Sequence, residues 1–142
     1  MPMKSSELMI GDYIMFDGCS CIIEEISSKG WLHMMYADSK VRVNLSSDFI
    51  LDFIEGIPLT PEILEKNGFN KSVSPPGIHA KCYEYDNPKE KYNLTIADYN
   101  KYKRLLLNID SEDSECFNIK CDYVHQLQHA LRLCKIDKQI VV

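Results

Sequence analysis

Turn-forming residues interrupt the first part of the chain so often that no long helix fits there. Asp17-Gly18 separates the apolar stretch from Leu8 to Phe16 from a second one running from Cys19 to Ile26. An Asp-Gly pair between apolar segments signals a two-residue hairpin. Gly accepts positive φ, and a type I′ turn matches the twist of the strands it joins. Ser27-Ser28-Lys29-Gly30 turns the chain again, Trp31 to Tyr36 reads as a third strand, and Ala37-Asp38-Ser39-Lys40 is the next turn. Val41-Arg42-Val43 and the segment Phe49 to Ile54 complete the set. On the return strand Cys19, Cys21 and Ile23 share one face while Ile22 takes the other. Short strands with turns every few residues predict a small, strongly bent antiparallel barrel, SH3-like, over residues 1–58.

Residues 59–142 read differently. Thr60 can cap a helix whose first position suits Pro61 and whose positive end suits Glu62, and Gly68 accepts the left-handed conformation that closes it. This predicts a helix over 61–67. Ser72 to Gly77, with Pro75-Pro76-Gly77, reads as a turn or loop. Strands follow within 80–119: Ala80 to Tyr85, Tyr92 to Ala97, Lys103 to Ile109 and Cys116 to Ile119. The leucines at 105–107 fit a buried helix as well, and strand is favoured because Asn108-Ile109-Asp110 leads into an acidic turn. That turn, with Asp110, Glu112, Asp113 and Glu115, lacks the glycine and ligand spacing of a calcium loop. Helical periodicity returns over 123–134, with Asp122 as a candidate N-cap. Tyr123, Val124, Leu127, Ala130, Leu131 and Cys134 fall on one apolar arc. His125, Gln128, His129 and Arg132 form a polar stripe on the other side. The expected architecture is α+β: an N-terminal SH3-like small β-barrel, then a helix–antiparallel sheet–helix lobe.

Charge separates the two parts. Residues 1–60 hold nine acids against four bases, and residues 61–142 hold twelve of each, so the net charge of −5 lies wholly in the first part. Phosphate repulsion disfavours nonspecific DNA binding there, and an anionic ligand should sit in the second part. No apolar run approaches the ~20 residues of a membrane span. Asp12 and Asp17 interrupt the only candidate signal core, so the chain is expected to stay in the cytoplasm. The six cysteines contain no Cys-x-x-Cys pair and are expected to remain reduced, as small core residues.

Pro58 to Phe69 (Pro-Leu-Thr-Pro-Glu-Ile-Leu-Glu-Lys-Asn-Gly-Phe) and Tyr123 to Leu131 (Tyr-Val-His-Gln-Leu-Gln-His-Ala-Leu) resemble two hallmark segments of a family. Its members are small proteins of unknown function carried by phages, prophages and mobile elements of gut bacteria. The order of segments is similar too, with an Ile-Gly-Asp opening, the Leu-Thr-Pro helix, a variable β region and the Tyr-Val-His helix. The resemblance implies a protein acting in a bacterial host cytoplasm. Proteins of this kind often blunt host defences, in one strategy by sequestering a nucleotide immune signal.

Two constellations carry chemistry. His125 and His129 have the i, i+4 spacing of helical zinc ligands, yet Gln126 stands where a zinc protease needs a general base. With Gln128 and Arg132 they form either a solvated polar face or a set of anion donors. Tyr99, Lys101, Tyr102, Lys103 and Arg104 interleave aromatic rings with bases, which suits stacking plus phosphate contact, or else protection of a strand edge. The glycines are scattered at turns rather than gathered in a phosphate loop, and no cofactor or metal is expected. Cys121, near a helix start, and His125 one turn on allow a small Cys/His hydrolase. The reading favoured is a non-enzymatic binding protein for a small, nucleotide-like anion. The alternative is a module that docks on a host or phage protein. A homo-oligomer is expected, with an open strand edge around Tyr99 to Leu107.

Overall fold

The computed structural model describes residues 8–27, 31–46, 54–73, 79–109 and 116–142. Among them the chain forms two five-stranded antiparallel sheets and two helices, a mixed α+β fold. It divides into two compact units. One comprises Met1–Pro58 with Tyr123–Ile140 and Val142, the other Leu59–Asp122 with Val141. The division suggested by sequence, 1–58 and 59–142, therefore differs in the last helix. That helix groups with the first unit because its polar residues bond to the start of the first sheet.

In the first unit β1 (Tyr13–Phe16), β2 (Cys19–Ile26), β3 (Trp31–Tyr36), β4 (Arg42–Ser46) and β5 (Ile54–Gly56) lie in the order β4-β3-β2-β1-β5. Phe16 pairs with Cys19, and the two residues between them have φ of 50° and 73°. Both central residues at positive φ are what a type I′ turn requires, so the Asp17-Gly18 signal fixes the first hairpin. Among the described residues no pairing joins β4 to β5, so the sheet is not a closed barrel. The start of the expected fifth strand, residues 49–53, lies outside the described residues, as do residues 28–30 of the second turn. The inward face gathers Ile14, Cys21, Ile23, Leu32, Met34 and Ile54, each at most 2 % exposed, with Phe16 and Tyr36 packed at their margin. Cys21 and Ile23 sit inside, as the alternation predicts, while Cys19 is exposed beside the turn.

The second unit opens with α1 (Pro61–Lys66). Thr60 Oγ1 accepts the Ile63 N–H at 3.3 Å, and Gly68 takes φ 87° just past the end. Then come β6 (Asn70–Ser72), β7 (Lys81–Asn87), β8 (Tyr92–Asp98), β9 (Lys103–Ile109) and β10 (Cys116–Lys120), in the order β10-β9-β8-β7-β6. β6 was not expected, because three polar-leaning residues carry no readable period. Residues 103–109 are strand. β9 lies between β8 and β10, so the expected open edge at Tyr99 to Leu107 is absent and the sheet's edges are β6 and β10. Tyr83, Ile96 and Leu105 pair across three strands and are buried with Leu94 on one face. The acidic turn at 110–115 and residues 74–78 lie outside the described residues.

The second helix, α2 (Val124–Leu133), starts from Tyr123, not Asp122. Gln126 Oε1 reaches back to accept the Tyr123 N–H at 3.2 Å. Asp122 instead uses Oδ1 to accept the Lys103 N–H at 2.7 Å, closing the start of β9.

The described cysteines Cys19, Cys21, Cys82, Cys121 and Cys134 are free thiols. Burial, reinforced by the Asp122 charge, pushes the Cys121 thiol from 9.0 up to about 12. Burial likewise raises Cys21 to about 11. The folded chain thus holds these protons at pH values where the unfolded chain has released them. That stability is fully present below pH 9 and is lost as pH climbs towards 12. In urea unfolding followed from pH 8 to 10.5, Cys121→Val should lose less stability than the parent. The difference should grow by at most about 1.4 kcal/mol per pH unit, and equal slopes would contradict the assignment.

Candidate functional site

The polar stripe of α2 meets the Ile10-Gly11-Asp12 segment. Asp12 follows a turn in which its own N–H bonds to the Met9 carbonyl, and Gly11 has φ 90°. The Asp12 carboxylate is completely buried. Its Oδ2 accepts the Met9 N–H at 2.8 Å and meets His129 Nε2 at 2.7 Å, while Oδ1 accepts from Arg132 Nη1 at 3.1 Å. An ionised carboxylate only accepts, so His129 carries a proton on Nε2 at this contact. The partners are 117 and 120 residues away in sequence. Gln128 completes the seam. Its Nε2 donates to the Gly11 carbonyl at 2.9 Å and its Oε1 accepts the Tyr13 N–H at 3.0 Å. These are backbone groups just where β1 begins, and burying them unpaired would be costly.

His125 is only 5 % exposed. Its ring stacks on Tyr123 at 5.8 Å and meets His129 edge-on at 5.6 Å and 75°. Gly56 admits this arrangement, since a Cβ there would lie 2.7 Å from the Tyr123 ring and 3.1 Å from His125 Cε1. The stripe is therefore an inward-facing seam, with Arg132 as its most accessible member. Its i, i+4 histidines are held by rings and by Asp12. Among the described residues no group of three or more His, Cys, Asp and Glu could hold a metal ion.

The other expected residues lie in the second unit, at the β8–β9 hairpin. Asp98 Oδ1 accepts the Asn100 N–H at 2.9 Å, Asn100 takes φ 73°, and Tyr99 N–H bonds to the Tyr102 carbonyl at 3.0 Å. The short turn places the Tyr99 and Tyr102 rings in a stack, with centroids 5.0 Å apart and planes at 21°. Tyr102 is 42 % exposed and Lys101 is exposed beside it. Lys103 and Arg104 begin β9. The Arg104 guanidinium donates to the Asn118 side chain and, at 3.4 Å, to the Asn118 carbonyl.

The remaining chemical candidate was Cys121. Its place before α2 suggested a thiolate favoured by the helix dipole, but burial outweighs any such effect and the thiol stays protonated at neutral pH.

Asp12 is the residue that sequence reasoning missed. The available signal was a single acid inside an otherwise apolar run from Leu8 to Phe16, a placement that calls for buried partners. Compared with protein-family models, with curated proteins and with solved structures, the chain matches none.

Proposed function

We propose that this chain is a non-enzymatic binding protein for an anionic, nucleotide-like ligand, and that the β8–β9 hairpin is its contact surface. The observation that carries the reading is the Tyr99–Tyr102 stack flanked by Lys101, Lys103 and Arg104. An exposed aromatic face takes a base and neighbouring cations take its phosphate. The α2 stripe contributes less to this reading, because Gln128, His129 and Arg132 are already bonded to Gly11, Asp12 and Tyr13. A neutral, buried Cys121 speaks against the hydrolase alternative. In the first unit, β5 returns to pair with β1 beside a four-strand meander, an order that supports an SH3-like ancestry for that sheet. The two hallmark-like segments support placing the protein with those of phages and mobile elements, acting in the host cytoplasm by withholding a nucleotide signal. No helix among the described residues is long and apolar enough to cross a membrane.

Calorimetry with linear and cyclic nucleotides tests this reading. Wild type should bind at least one member, and Tyr102→Ala should weaken it by roughly 5- to 150-fold, the loss of one base stack. Arg132→Ala, where folded, should bind as wild type does. Loss of binding in folded Arg132→Ala would return the ligand to α2. No binding by wild type would leave the docking-module reading ahead, which Met9, Ile10, Trp31 and Val41 favour as exposed apolar side chains of the first unit.

A further inference from the structure

Register sorts the side chains of the first sheet onto two faces. Ile14, Cys21, Ile23, Met34 and Ile54 turn inward, so Tyr13, Met15, Ile22, His33 and Met35 turn outward. Tyr13, Ile22 and Met35 are direct neighbours on three strands, Met15 lies two residues on from Tyr13, and all four are half-buried. The helix α2 approaches from the inner side, where a Cβ on Gly56, the partner of Ile14, would strike the Tyr123 ring. Trp31 shares the outer face, two residues before His33, and is 46 % exposed. An apolar strip across three strands, with a tryptophan beyond it, exceeds the single exposures of an ordinary surface.

The margin of this strip is acidic. Between the pairs Ile23–Met34 and Glu25–His33, β2 holds one residue more than β3. Strict alternation would turn Glu25 inward, and the bulge turns it outward beside Glu24. The two glutamates line a cavity of about 350 Å³ together with His33, Met34, Arg42 and Asn44. Arg42 Nε meets Glu24 Oε1 at 3.1 Å, but the arginine side chain is 75 % exposed and solvent screens the pair. Glu55 stands outward on β5, opposite Met15. Among the described residues no ion pair involves Glu25 or Glu55. The described part of this face thus sets three carboxylates, those of Glu24, Glu25 and Glu55, against the one guanidinium of Arg42.

We propose that the outer face of the first sheet docks a basic amphipathic helix of a partner protein. The apolar side of that helix lies on Tyr13, Ile22 and Met35 and packs against Trp31. Its lysines or arginines meet Glu24, Glu25 and Glu55. Charge complementarity selects this occupant, because an acidic segment, or a second copy of the same face, would bring like charges together. The reach fits as well. Two inter-strand spacings separate Tyr13 from Met35, about 10 Å, and positions i and i+7 of a helix are about 10.5 Å apart. Methionine adapts its shape to the side chains it meets, which suits Met15 and Met35 to an interface. The proposal goes beyond the anion-binding reading and does not depend on it, since the contact surface of that reading is in the second unit.

Trp31 is the single tryptophan of the chain, so its emission reports on this face. The probe is a four-turn helical peptide with leucines on one side and lysines on the other, labelled with fluorescein for anisotropy and unlabelled for tryptophan emission. The comparison peptide carries glutamate for lysine. At physiological salt the lysine peptide should bind at least about 10-fold more tightly than the glutamate peptide, and should shift Trp31 emission to the blue. The double variant Glu24→Gln/Glu25→Gln should weaken binding roughly 2- to 25-fold, the loss of two partly screened ion pairs. Trp31→Ala should weaken it roughly 3- to 10-fold in anisotropy. Asp17→Asn/Asp38→Asn removes the same charge from exposed turns at the other end of the strands and should change binding less than about 2-fold, because exposed charges more than ~8 Å away are largely screened. The thermal midpoint should stay put in all three variants. No saturable binding of the lysine peptide would overturn the proposal. So would equal binding of the glutamate peptide, anisotropy without a change in Trp31 emission, or equal losses in the two double variants.

Discussion

Asp12→Ala is expected to destabilise the protein by roughly 2–4 kcal/mol, measured by urea unfolding at neutral pH. The carboxylate is fully buried and receives three contacts, from the Met9 N–H, His129 and Arg132. Removing it leaves a backbone donor without its acceptor and a guanidinium without its counter-charge. The side chains of His129 and Arg132 are 22 % and 35 % exposed, so water recovers part of the loss and the effect stays below that of a wholly buried ion pair. Asp12→Asn keeps the shape and removes the charge, and should fall between wild type and Asp12→Ala. The decisive measurement is the double-mutant cycle with Arg132→Ala. If the pair acts together, the two losses should fall short of additivity by 0.5 kcal/mol or more. Full additivity would mean that Asp12 acts through the Met9 turn and His129 rather than through Arg132. The same cycle judges α2, since Arg132→Ala on a merely solvated helix face would change stability by no more than about 0.5 kcal/mol.

Leu127→Ala should cost roughly 2–5 kcal/mol. Leu127 is wholly buried in the middle of α2, one turn from Val124 and Leu131, which are 0 % and 2 % exposed. Truncation removes about three methylene-sized groups from a packed interior and leaves a void that a helix pinned through Gln128, His129 and Arg132 cannot readily close. Leu133→Ala provides the control. It lies on the same helix, 82 % exposed, and should stay within about 0.5 kcal/mol of wild type. Comparable losses for the two leucines would mean that helix propensity, rather than burial, sets the stability of this element.

What the sequence determined by itself was local. Asp17-Gly18 specified a hairpin because the φ angles of a type I′ turn are available to those two residues and to few others. Thr60-Pro61 and Gly68 bounded α1 because capping satisfies groups within one turn of the helix end. The alternation in Tyr92 to Ala97 and the apolar arc of α2 likewise followed from the periods of strand and helix. Tertiary structure decided what depended on distant partners. The stripe His125, Gln128, His129 and Arg132 has the composition of a solvated or ligand-binding face. Its inward role follows from Gly11, Asp12 and Tyr13, which lie 115 to 120 residues earlier. No periodicity encodes that meeting. The same holds for Asp122, which by spacing is an N-cap but in the fold serves the N–H of Lys103. It holds for Cys121, whose proton is retained through burial, a property absent from the sequence around it. Strand order is the last instance. β8 and β10 were readable alone and residues 103–109 fitted strand or buried helix, yet only the pairing of the three strands put Arg104 opposite Lys120 and made an interior strand of an expected edge. Local chemistry fixes backbone conformation within a few residues, whereas charge compensation and burial are settled by whichever groups the folded chain brings within about 4 Å.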